Sequence, residues 1–138
     1  TGLAIKGEEG TSNYALRLSS PSTSDRQAIN YSQGFRRIGG QREDFAQDVA
    51  PENFGFNYQK NPRLETVNSE SFATAGISAL SGQKGHVYDR LVFNTATIDY
   101  LLGFCSDPNL AVKNASRAID SGKALSHLKA YIAKSRTK

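Results

Sequence analysis

The densest set of chemically usable side chains lies at the end of the chain. From Lys113 to Lys138, seven cations (Lys113, Arg117, Lys123, Lys129, Lys134, Arg136 and Lys138) face one acid, Asp120. That segment carries +6 in a chain whose formal charge is +4, so the remainder is net −2. Clustered cations of this kind suit a phosphate backbone, because each neutralised phosphate releases condensed counterions. A second reading is equally physical: cations near helix C-termini complement the macrodipole, and a Lys-rich tail is well solvated. Arg36 and Arg37, beside Gly39-Gly40, offer a second phosphate contact. On the first reading the candidate partner is DNA or RNA; on the second these are solvated surface charges.

Other chemistries find less support. His86 and His127 are far apart in sequence and near no Cys or acidic cluster, so neither fits metal-ligand spacing. Cys105 is the single cysteine, which excludes an internal disulfide and a thiolate metal cluster. With no His nearby it reads as a packed thiol, not a nucleophile. No Gly-x-Ser-x-Gly elbow occurs. No apolar run approaches the roughly 20 residues of a membrane span, and no basic segment precedes an apolar one as in a signal peptide. The single thiol makes a reducing compartment the default, and the expected location is the cytoplasm or an organellar stroma or matrix.

The elements that must hold these residues are strands first and helices later. With 138 residues the chain fits one domain (residues 1–138), long enough to bury a core. Thr1–Ile5 reads as a strand stopped by the turn Lys6-Gly-Glu-Glu-Gly10, and Tyr14–Leu18 and Gln27–Tyr31 are further strand candidates. Ser19–Asp25 and Phe35–Gly40 read as loops, Gln41–Ala50 is ambiguous, and Pro51–Gly55 is a turn. Asn68 or Ser69 caps a helix reaching Leu80 and ended by Ser81-Gly82. Tyr88–Leu102 is the strongest helix, apolar around most of its circumference, and Gly103 closes it. Asp107 caps and Pro108 opens a third helix, which Gly122 ends. Leu125, Leu128 and Ile132 mark a final amphipathic helix.

Three separated marks in this order, Ser81-Gly-Gln-Lys-Gly85, Asp89–Asn94 leading into Ala96, and Asp120-Ser-Gly-Lys-Ala124, resemble the C-terminal end of the anthranilate phosphoribosyltransferase-like family, glycosyltransferase family 3. The resemblance covers Ser69–Ala130 and, more weakly, Leu3–Gly10. It implies an α/β fold: a few N-terminal strands of a sheet followed by about four packed helices. It also implies that the family's phosphate loop and small helical domain lie upstream, in a segment absent from this chain, which begins at Thr1 without Met. The family's Mg²⁺ site uses an adjacent Asp-Glu pair just after a turn that matches Lys6–Gly10. Here Ser12 and Asn13 fall at that pair, so the resemblance implies a lost Mg²⁺ site. Lys6, standing for a family-like His, is a candidate phosphate contact. Glu8 and Glu9 are a candidate substitute metal pair, although adjacent carboxylates in a Gly turn are more commonly surface charge.

Three expectations follow. The first is a catalytically degenerate relative with no cofactor that binds DNA or RNA, as one non-catalytic branch of the family does. Its contacts would be Lys6, Arg36, Arg37, Lys123, Lys129, Lys134 and Arg136. The second is part of an active transferase, with Mg²⁺ and phosphoribosyl pyrophosphate, completed by the missing N-terminal segment. The third is a structural or interaction subunit. The resemblance also implies a homodimer of the complete protein, and no membrane is involved.

Overall fold

A computed structural model describes residues 2–6, 14, 16, 30–57 and 68–136. Among the described residues, three strands, β1 (Gly2–Lys6), β2 (Asn30–Ile38) and β3 (Gln41–Val49), form one antiparallel sheet in the order β1-β2-β3. Four helices follow: α1 (Ser69–Leu80), α2 (His86–Leu101), α3 (Pro108–Asp120) and α4 (Lys123–Ser135). This is the expected α/β arrangement of strands followed by helices.

The sheet corrects one reading and resolves another. Phe35–Ile38 is strand, not loop, and only Gly39 and Gly40 connect β2 to β3. Both glycines hold positive φ, 57° and 84°, as a two-residue hairpin turn with the right twist demands. Gln41–Val49, ambiguous in sequence, pairs along its whole length with β2, from Ile38↔Gln41 to Asn30↔Val49. Its charged residues are those of an edge strand, where they discourage pairing with other chains. The strand expected at Gln27–Tyr31 begins at Asn30, and residues 27–29 lie outside the described ones. Of the strand expected at Tyr14–Leu18, only Tyr14 and Leu16 are described. Neither is in a strand, and both are completely buried.

The helices follow their local signals. Asn68 Oδ1 accepts from the Ser71 N–H at 2.7 Å and caps α1. Asp107 Oδ1 accepts from the Asn109 N–H at 2.9 Å, with Pro108 opening α3. Helix α2 starts two residues before Tyr88, at His86, after a Gly85 that offers no side-chain cap. Tyr88, Val92, Phe93, Ala96, Thr97 and Leu101 are all buried, so α2 is the axis of the core. Phe93 is wholly inaccessible and meets the rings of Tyr14, Phe54 and Phe56 at centroid distances of 6.0, 5.5 and 5.6 Å. Burial of such an aromatic contributes about 2–3 kcal/mol, and its tilted and edge-on partners add to that. Helix α3 packs on α2 through Ala111, Ala115 and Ile119. Helix α4 packs on α3 and α1 but buries no residue completely.

Candidate phosphate-binding surface

The small buried face of α4 leaves most of its circumference to solvent. Lys123 opens the helix, Lys129 and Lys134 lie within it and Arg136 follows its last turn, and all four are exposed. On α3, Lys113 and Arg117 are likewise exposed. Asp120, the acid of this basic segment, is held by a residue from another part of the chain. Lys84, in the corner between α1 and α2, places Nζ 2.7 and 2.9 Å from the two Asp120 carboxylate oxygens. The Tyr88 hydroxyl donates to Asp120 Oδ1 at 3.0 Å, and the Lys84 ammonium stands 3.7 Å over the Tyr88 ring. The Lys84 hydrogen bond, with that of Tyr88, draws the Asp120 pKa down, and the bond to Asp120 raises that of Lys84. Asp120 is therefore matched by Lys84, and α4 itself contributes no carboxylate beside its cations.

The hairpin arginines are placed differently. Arg36 donates from Nε and Nη2 to the Glu43 carboxylate at 3.2 and 2.8 Å, and from Nη1 to the Leu101 carbonyl at 3.2 Å. This two-pronged bond raises the Arg36 pKa and lowers that of Glu43. The guanidinium thus pins the hairpin to the C-terminal end of α2, where carbonyl oxygens accumulate negative partial charge. Arg37 donates to the Gly40 carbonyl at 3.4 Å. Arg42 pairs with Asp44 at 2.7 Å and lies over the Phe35 ring at 4.3 Å. The positive charge of the hairpin is thus largely matched by Glu43 and Asp44. The hairpin abuts α2, and α4 abuts α1 and α3, so the fold does not join Arg36 and the α4 cations into one patch.

Lys6 is the last residue of β1, paired with Tyr31, and its side chain lies outside the described residues. Glu8, Glu9, Ser12 and Asn13 also lie outside them. Tyr14, which follows, is gripped by Asn94 of α2: Oδ1 accepts from the Tyr14 N–H at 2.7 Å and Nδ2 donates to its carbonyl at 2.9 Å. The Tyr14 hydroxyl bonds to Ser32. In the sequence, Asn94 stands out only as an amide amid the apolar residues of the central helix.

Among the described residues, no three His, Cys, Asp or Glu side chains gather where they could hold a metal ion, and no helix is long and apolar enough to cross a membrane. The His86 pKa is lowered, chiefly by desolvation and then by Arg90. His127 is exposed on α4. The half-buried Cys105 thiol donates to the Asp107 carbonyl at 3.3 Å, within the corner that caps α3.

Known proteins share this fold. No family model matches the chain. Anthranilate phosphoribosyltransferases from Bacillus cereus strains G9842 and AH187 are 34% and 33% identical over 91 and 90 residues, 66% and 65% of this chain. The chain spans about a quarter of the length of these relatives, 27% and 26%. The crystal structure of anthranilate phosphoribosyltransferase from Thermus thermophilus superposes on 96% of the chain, with a TM-score of 0.66 and 22% identity. The chain accounts for 35% of that structure, and at this identity the likeness speaks for the fold alone. Over some two thirds of its length, the chain is homologous to anthranilate phosphoribosyltransferase of glycosyltransferase family 3.

Proposed function

We propose that this chain is the C-terminal portion of an anthranilate phosphoribosyltransferase-like protein that has given up phosphoribosyl transfer and binds nucleic acid through α4. The observation that carries the reading is the exposed row Lys123, Lys129, Lys134 and Arg136, on a helix whose adjacent acid, Asp120, is already paired with Lys84. Such a surface gains affinity for a polyanion by counterion release. The loss of transfer rests on Ser12 and Asn13, which occupy the positions that the resemblance assigns to the Mg²⁺-binding acidic pair. A hydroxyl and a neutral amide do not fit a hard divalent cation that needs carboxylate oxygen.

The homologous relatives carry the name of a transferase, so the two activities must be measured side by side on the complete protein. Titration calorimetry with phosphoribosyl pyrophosphate, with and without Mg²⁺, is expected to show no Mg²⁺-dependent binding. Fluorescence anisotropy with a labelled oligonucleotide is expected to show binding that weakens steeply with salt. Mg²⁺-dependent binding of phosphoribosyl pyrophosphate, with no binding of the oligonucleotide, overturns the proposal.

A further inference from the structure

The exposed side of α4 holds rings as well as charges. Lys123, His127, Tyr131 and Lys134 are spaced so that they lie along one stripe of the helix, and all four are exposed. Tyr131 is 71% accessible, unusual for a large aromatic that no protein surface covers. At 1.5 Å of rise per residue, the two rings stand about 6 Å apart along the axis, and the two ammonium groups bracket them over about 16 Å. Tyr131 lies opposite neither Glu nor Asp on this helix, since Lys123–Ser135 contains no acid.

From this juxtaposition we infer that α4 prefers single-stranded over double-stranded nucleic acid, with Tyr131 and His127 as stacking platforms for unpaired bases. A duplex hides the faces of its bases and offers α4 only phosphates. A single strand presents both phosphates and base faces, and every base has a π-face, so such stacking tolerates any sequence. Lys123 and Lys134 then hold the backbone on either side of the stacked bases. The inference rests on the nucleic-acid reading above and narrows it to one class of strand.

The test is anisotropy with a labelled single-stranded oligonucleotide and with the duplex of the same sequence, on the full chain and on two variants. The single strand is expected to bind more tightly than the duplex. Tyr131→Ala is expected to weaken single-strand binding by roughly 5- to 150-fold, the range for loss of one base–aromatic stack, and to leave duplex binding unchanged. Tyr131→Phe, which keeps the ring, is expected to bind like the parent chain. Because Tyr131 is exposed, the helix survives either change, and circular dichroism verifies it. Equal binding of both strands, or a Tyr131→Ala chain that binds like the parent, overturns the inference and leaves the nucleic-acid reading standing. No binding of either strand overturns both. A homodimer in sedimentation that Tyr131→Ala dissolves also overturns it, by showing that the ring serves a second copy of the chain.

Discussion

Removing the Asn94 side chain isolates the contact that fixes Tyr14 against the central helix. Asn94 satisfies both the N–H and the carbonyl of Tyr14, a residue with no accessible surface, and its amide also donates to the Arg90 carbonyl at 2.8 Å. In Asn94→Ala both Tyr14 backbone groups lose their partner in a place where water reaches poorly. Each unsatisfied buried group costs about 1–3 kcal/mol, so the two together should cost about 3 kcal/mol after partial relaxation. That is a large share of the roughly 5–15 kcal/mol available to a domain. Urea denaturation followed by circular dichroism reads it as a lower midpoint with an unchanged slope. Asn94→Asp keeps an acceptor for the Tyr14 N–H but sets a carboxylate oxygen against the Tyr14 and Arg90 carbonyls, so it should cost at least as much as Asn94→Ala at neutral pH. A loss below about 1 kcal/mol in Asn94→Ala would refute the reasoning.

Other substitutions probe different parts of the account. Thr97 is fully buried, and its hydroxyl has no partner among the described residues; Thr97→Val should stabilise by about 1 kcal/mol, read as a raised Tm. Gly34→Ala and Gly76→Ala should move stability in opposite directions. A Cβ at Gly34 would sit 2.3 Å from the Gly2 carbonyl oxygen, forcing β1 from β2, whereas one at Gly76 on α1 meets nothing within 4 Å and gains roughly 0.5–1 kcal/mol of helix stability. Asp120 and Glu43 have pKa values lowered by Lys84 and Arg36, so their contribution is present above the unfolded carboxyl value of about 4 and is lost as pH falls through the lowered folded value. Acid titration of unfolding should therefore show a shallower acid limb in Asp120→Asn and Glu43→Gln than in the parent chain.

The helical half was legible because each helix announces itself locally. Asn68, the Asp107-Pro108 pair and the closing residues Gly82, Gly103 and Gly122 mark starts and stops that propensity and capping physics fix without tertiary help. The β2–β3 hairpin was not, because β3 is an edge strand exposed along most of its length, and its run Gln41-Arg-Glu-Asp carries no alternation of apolar and polar residues. The Gly39-Gly40 pair was the available signal, and the two arginines before it drew the reading towards a loop. On the surface, the basic row of α4 was visible as charge. Its pairing state was not: that Lys84 takes Asp120, and that Glu43 takes Arg36, depends on contacts between separate elements that no spacing reveals. Asn94 was hidden for the same reason, since its partner is the backbone of a residue far upstream.

The central claim, that α4 is a phosphate-binding surface, is tested most directly by the salt dependence of binding to a single-stranded oligonucleotide. The parent chain should give a straight line of log K against log salt concentration with a steep negative slope. If Lys123, Lys129, Lys134 and Arg136 each neutralise one phosphate, replacing all four with Gln should reduce that slope by about 3, at roughly 0.7 per contact on a single strand. A reduced slope with the helical spectrum intact supports the account. An unchanged slope contradicts it, because the counterions would then be released by some other part of the chain.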